Sequence, residues 1–141
     1  MISVEFLCNI NYMTDFNLAA YKSLYLKTAR EHIANLRINL ELLKADPADK
    51  KVIYEVFRLF HSLKSQNYFM GFEKTAHLCK IFENFFRAIN ESKKTFNPQI
   101  SPVILKTVAD LEHSLNEIDK NNNEIDLTPN IINLENGLSQ L

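Results

Sequence analysis

Apolar residues recur along this chain in alternating steps of four and three, the spacing that keeps one stripe on one side of an α-helix. Ala29, Ile33, Leu36, Leu40 and Leu43 follow the steps 4, 3, 4, 3 and predict a first helix over residues 16–44. Asp46 and Pro47 end it. Asp46 is read as the cap of a second helix over 48–68, with Pro47 in its first turn. On that helix Ile53, Val56, Phe57, Phe60 and Lys64 fall on one broad side, widened by Val52 and Leu63. His61, four residues after Phe57, lies beside the apolar stripe rather than opposite it. Gly71 breaks the chain. A third helix is predicted over 73–90, and its apolar residues (Ala76, Leu78, Cys79, Ile81, Phe82, Phe85, Phe86 and Ile89) cover more than half its circumference, so it is packed on several sides. Ser101 and Pro102 read as a cap followed by proline at the first position of a fourth helix. Ile104, Val108, Leu111, Leu115 and Ile118 repeat the 4, 3, 4, 3 spacing there. The polar, asparagine-rich residues 119–124 read as a loop. Thr128 and Pro129 open a short fifth helix with Ile131, Leu134, Leu138 and Leu141.

Long amphipathic helices joined by short loops predict an all-α protein, an antiparallel four-helix bundle over residues 16–120. A linker over 121–127 and a fifth C-terminal helix over 128–141, docked on one side or end, complete a domain over 14–141. Residues 1–13 read as an N-terminal extension that need not be ordered, and Met13 as an alternative start just ahead of the helical pattern. Two glycines in 141 residues are too few for hairpins or phosphate-cradling loops, which strengthens the helical reading.

With 46% hydrophobic residues the chain can bury a core. A net charge of −1 speaks against nucleic acid as a partner. Apolar runs fall short of the roughly 20 residues that span a bilayer, so membrane insertion is not expected. The first twelve residues lack the basic start and small-residue cleavage site of a signal peptide. Cys8 and Cys79 are too far apart for a metal pair, and a reducing, cytoplasmic setting follows. His77 and Cys79 diverge on a helix and make a poor metal pair. His32, His77 and His113 read as surface or boundary residues, Phe82, Phe85 and Phe86 as core, and Lys93 and Lys94 as a solvated helix end.

His61 is different. A histidine that attacks phosphorus needs one ring nitrogen unprotonated and exposed, while a carboxylate accepting from Nδ1–H fixes the tautomer and raises the basicity of Nε2. Cations nearby then stabilise phosphoryl oxygens. Lys64, three residues on, shares the face of His61. Glu83, 22 residues on and across the Gly71 turn, is the candidate carboxylate, and Lys80, three residues before it, is expected to point to the same neighbourhood as a further phosphate contact.

The segments Phe60-His61-Ser62-Leu63-Lys64, Met70-Gly71-Phe72-Glu73 and Leu78-Cys79-Lys80-Ile81-Phe82-Glu83-Asn84 together resemble the signature of the histidine phosphotransfer (HPt) family. They are most like the N-terminal phosphoacceptor domain of bacterial chemotaxis histidine kinases. Tyr25-Leu26-Lys27-Thr28-Ala29-Arg30-Glu31-His32 resembles the first helix of that domain, and Ile53-Tyr54-Glu55-Val56-Phe57-Arg58 the lead-in to its histidine. The resemblance implies that His61 accepts a phosphoryl group, that Glu83 orients it, and that Lys64 and Lys80 contact the phosphate. It also implies a docking surface that includes Ser65 and Gly71. The ATP and Mg²⁺ would belong to a separate histidine kinase ATP-binding domain, and the phosphoryl group would leave to an aspartate on a response-regulator receiver domain; this chain itself would hold no cofactor or metal. Two positions depart from the family pattern. Ser65 stands where a glycine is usual and Lys80 where a second histidine is usual, which bears on rate and partner more than on role. The rival reading is a helical adaptor that binds a signalling partner without being phosphorylated; a metal- or haem-binding bundle is a third.

Overall fold

The computed structural model describes residues 15–139, with side chains from Ala19 onward. Five α-helices follow one another: α1 (Asp15–Ala45), α2 (Lys50–Phe69), α3 (Glu73–Asn90), α4 (Ser101–Asn121) and α5 (Thr128–Ser139), with a 3₁₀ turn at Pro98–Ile100 leading into α4. The extension read over 1–13 lies outside the described residues, as does Leu141. Among the described residues no helix is long and apolar enough to cross a membrane.

The stripes read on the first and fourth helices are buried at every position, and those on the second and third at most. Ala29, Ile33, Leu36, Leu40 and Leu43 of α1 face Ile104, Val108, Leu111, Leu115 and Ile118 of α4 and the apolar sides of α2 and α3 in one core. Phe60 stacks on Phe82 and Phe86 with ring centroids 5.4 and 6.0 Å apart, and Phe96 continues the stack against Phe86. Burying large rings in this way stabilises a core by roughly 3–5 kcal/mol per phenylalanine relative to alanine. The packing is antiparallel. Arg30 pairs with Asp119 and Arg37 with Glu112, so seven residues forward on α1 match seven residues back on α4.

The turn between α2 and α3 sets the register of the site. Gly71 lies at φ +84°, a conformation that side chains rarely adopt. Its N–H donates to Tyr68 O and that of Phe72 to Asn67 O, the paired bonds that close a helix with a left-handed residue. The turn lies midway between residues 61 and 83, so α2 and α3 return side by side with those two positions level.

Three local expectations are corrected. The cap of α2 is Asp49, not Asp46: its carboxylate accepts from Lys51 N and Val52 N, and the helix begins at Lys50 rather than at 48. Asp46 accepts from Ala48 N in the preceding turn, and Pro47 sits in that turn, where its fixed φ also fits. Ser101 is not a cap either. Asn97 caps the 3₁₀ turn, which runs directly into α4, so Ser101 is buried inside helical geometry. At its far end α4 runs on to Asn121, past the start of the expected loop. Asn122, left-handed at φ +61°, closes it by donating to Ile118 O.

The start of α3 is capped from a distance. Phe72 offers no side-chain cap, and Glu124, in the loop between α4 and α5, accepts from Thr75 N and Thr75 Oγ1 at 2.7 Å each and from Lys74 N at 3.3 Å. Thr75 Oγ1 also meets the buried Ser114 Oγ of α4 at 2.9 Å. Lys74 pairs with Asp126, and this ammonium, with the Thr128 hydroxyl and N–H, holds the Asp126 carboxyl far below the ordinary value. The loop is thereby tied to the helix that carries Glu83, and α5 settles against α4 and α3 through the buried Leu134, with Ile131 and Leu138 packed on the core. Glu124→Ala is expected to lower stability by about 1–2 kcal/mol, the usual worth of a lost cap. A denaturation midpoint equal to that of the unaltered chain would show that the cap contributes nothing.

Candidate functional site

His61 stands on the edge of α2 that the apolar stripe leaves half open. Phe57, one turn earlier, flanks its ring at 6.4 Å between centroids. The His61 side chain is 53% exposed, whereas that of Glu83, level with it on α3, is 1% exposed. Nδ1 of His61 lies 2.9 Å from Glu83 Oε1. With an ionised carboxylate as acceptor, Nδ1 carries the proton. Nε2 makes no hydrogen bond among the described residues and is left as the basic nitrogen on the open side.

A carboxylate this deep must be compensated. Lys64 Nζ approaches Glu83 Oε2 at 2.8 Å, off the line of a well-aligned hydrogen bond, and Arg87 Nη2 donates to Oε1 at 2.6 Å. Burial alone pushes the Glu83 carboxyl up. The contacts from Lys64 and His61 outweigh burial and hold it below the ordinary glutamate value of 4.5. The Cys79 thiol, fully buried one turn earlier on α3, is pushed the other way by burial and by the Glu83 charge.

A consequence for pH follows from the direction of the Glu83 shift. The folded state favours the ionised form, and the unfolded chain takes up its proton first as pH falls. This contribution to stability is present above about pH 4.5 and is lost as pH drops through the lower folded value. Glu83→Gln should therefore lose less stability than the unaltered chain between pH 6 and pH 3. Identical acid profiles in thermal melts would remove Glu83 from that dependence.

His61, Lys64 and Glu83 are thus brought together as the sequence reading expected. Lys80 is exposed and makes no ion pair or hydrogen bond with another described residue. Ser65 is exposed one turn beyond His61. It lines an apolar groove of about 460 Å³ between α1 and α2, together with Tyr21, Leu24, Tyr25, Phe69 and Met70. Gly71 forms the turn, ten residues and about 15 Å along the helix from His61. His32, His77 and His113 lie outside the cluster at partly or fully exposed positions, with His77 next to Glu135 of α5 at 3.4 Å. Phe82 and Phe86 are core. Lys94 lies over the Phe85 ring at 4.7 Å rather than merely in solvent.

The residue that sequence reasoning missed is Arg87. Besides Glu83 it donates from Nη1 to Asn84 Oδ1 at 2.8 Å, and its guanidinium lies 5.5 Å over the Phe57 ring. Its signal was the four-residue step from Glu83, which places an opposite charge one turn on.

A helical bundle with a half-exposed histidine, its inner nitrogen held by a buried carboxylate and cations beside it, defines the histidine phosphotransfer class. The sequence model of the Hpt domain family matches residues 20–121, and the chain belongs to that family. Its relatives include the chemotaxis protein CheA of Bacillus subtilis, 26% identical over 98 residues (70% of this chain), and that of Listeria monocytogenes, 27% identical over 95 residues (67%). The chain spans 15% of the length of each. Among solved structures, the CheA phosphotransferase domain from Thermotoga maritima matches with a TM-score of 0.67 and 27% identity, covering 70% of this chain and 94% of that one. A histidine phosphotransfer domain of CheA solved in solution shares the fold, with a TM-score of 0.77 and 24% identity over 90% of this chain and 92% of that one.

Proposed function

We propose that this chain is a phosphoryl carrier of two-component signalling, with Nε2 of His61 as the phosphoacceptor. The observation that carries the reading is the 2.9 Å contact between His61 Nδ1 and the buried Glu83, on a ring whose side chain is 53% exposed. In the forward step the Nε2 lone pair forms a bond to the γ-phosphorus of ATP held by a separate kinase domain. The bond from phosphorus to the bridging oxygen breaks and ADP leaves. Nδ1 keeps its proton, so the ring gains positive charge as the N–P bond forms, and the Glu83 carboxylate stabilises that charge. Lys64 faces the phosphoryl oxygens. In the return step an aspartate oxygen of a receiver domain attacks phosphorus, and Nε2 recovers its lone pair.

The donor in this reading is a histidine kinase ATP-binding domain that brings its own ATP and Mg²⁺. The acceptor is a response-regulator receiver domain with its own Mg²⁺. The setting is the cytoplasm, and the relatives named chemotaxis protein CheA favour the front domain of a chemotaxis kinase. The unit is proposed to span residues 14–141, with α5 included because it packs on α3 and α4. Docking would use the exposed sides of α2 and α3 around His61, with Ser65 at its edge.

The test is to mix the purified chain with a chemotaxis-type kinase catalytic domain, ATP and Mg²⁺, and then to add a receiver domain. The expected result is an acid-labile, base-stable phosphoryl group on this chain that leaves when the receiver arrives. A chain that stays unlabelled while the kinase labels its own substrate would favour a non-phosphorylated adaptor.

A further inference from the structure

Two cations share Glu83, and they are held very differently. Arg87 is fixed on three sides: Nη2 on Glu83 Oε1, Nη1 on Asn84 Oδ1, and the guanidinium face over Phe57. Lys64 has one partner among the described residues, Glu83 Oε2, and meets it off the hydrogen-bond line. A planar fork seated in three contacts resists displacement, whereas an ammonium on a flexible stem turns readily. Lys64 also lies three residues after His61 on the same helix, within reach of whatever is bonded to Nε2.

We propose that Arg87 is a positioning residue that clamps Glu83 Oε1 under His61 Nδ1 throughout the transfer cycle, leaving Lys64 free to exchange between Glu83 and the phosphoryl oxygens. The inference rests on His61 being the phosphoacceptor. When the N–P bond forms and the bond to the leaving oxygen breaks, two or three anionic oxygens appear beside α2 and draw the Lys64 ammonium away. A carboxylate that is 1% exposed then keeps the His61 ring and Arg87 as its partners, and Arg87, seated outside the reacting ring, holds Oε1 in place. When the phosphoryl group departs, Lys64 returns to Oε2. Arg87 acts through Glu83 and need not touch the phosphoryl group.

The test begins without any kinase. Nitrogen-15 NMR of the unphosphorylated chain reads which ring nitrogen of His61 bears the proton. Arg87→Ala is expected to move His61 from the Nδ1–H form toward a mixture of tautomers and to slow phosphorylation about tenfold or more, the usual effect of losing a residue that orients a functional group. Lys64→Ala is expected to leave the tautomer as in the unaltered chain while also slowing phosphorylation. Arg87→Lys keeps the charge without the fork and should fall between. Wild-type tautomer and rate in Arg87→Ala would overturn the proposal. So would a Lys64→Ala variant that disturbs the tautomer as much as Arg87→Ala does. Denaturation midpoints report whether each variant is folded, and if the alanine variant does not fold, wild-type values of both readouts in Arg87→Lys overturn the clamp. A wild-type chain that takes no phosphoryl group would remove the phosphoacceptor reading, while the tautomer comparison would still decide whether Arg87 holds Glu83.

Discussion

His61→Gln is expected to carry no phosphoryl group with any donor, and to unfold within about 1 kcal/mol of the unaltered chain. Loss of transfer is complete because the glutamine amide nitrogen has no basic lone pair to offer phosphorus. Retention of the fold follows from the position of the ring. It is more than half exposed and contributes one hydrogen bond, to Glu83, and one flank contact, to Phe57. Glu83 keeps Lys64 and Arg87 when His61 is lost, so no buried charge is orphaned. Phosphate incorporation and denaturant melts on the same preparation check both halves. Residual labelling of His61→Gln above background would mean that another residue is the acceptor. A collapse of the fold would mean that His61 is structural.

Glu83→Gln is expected to slow phosphorylation by about 10²-fold, the order found when a group aimed at developing charge is neutralised. The substitution keeps the shape, and the amide oxygen can still accept from Nδ1–H. What it removes is the negative charge under a ring that becomes cationic as the N–P bond forms. It also leaves Lys64 and Arg87 as uncompensated cations beside that ring, which disfavours the same charge further. Both cations have a route to water, with side chains 21% and 43% exposed, so the cost to the fold at neutral pH should be modest. A rate within a few-fold of the unaltered chain would show that Glu83 holds His61 by geometry alone.

The long helices were legible because each apolar stripe spans four or five turns, and burial follows such a stripe wherever the partner helices lie. The pairing of His61 with Glu83 was legible for a related reason. Gly71 marks the turn midway between them, and antiparallel helices then bring them level. Helix starts were less so. Asp46 and Asp49 lie three residues apart, both can cap, and the one whose carboxylate reaches two N–H groups of the incoming turn takes the role. Ser101 followed by proline has the sequence of a cap, but the 3₁₀ turn ahead of it had already begun the helical winding. Glu124 could not be read as the cap of α3, since its partners Lys74 and Thr75 are 50 and 49 residues away and meet it only once α4 has packed. Arg87 was within reach of the four-residue rule, one turn beyond Glu83, whereas Lys80, three residues before Glu83, is exposed and makes no ion pair with it.

The most direct test is to phosphorylate the chain uniformly labelled with nitrogen-15 and locate the phosphoryl group by phosphorus-coupled NMR. The expected result is a single phosphoryl group on Nε2 of His61, with the proton still on Nδ1 and the Nδ1–Glu83 contact intact. A phosphoryl group on Nδ1, or on any other residue, would contradict the assignment of Glu83 as the partner that leaves Nε2 free.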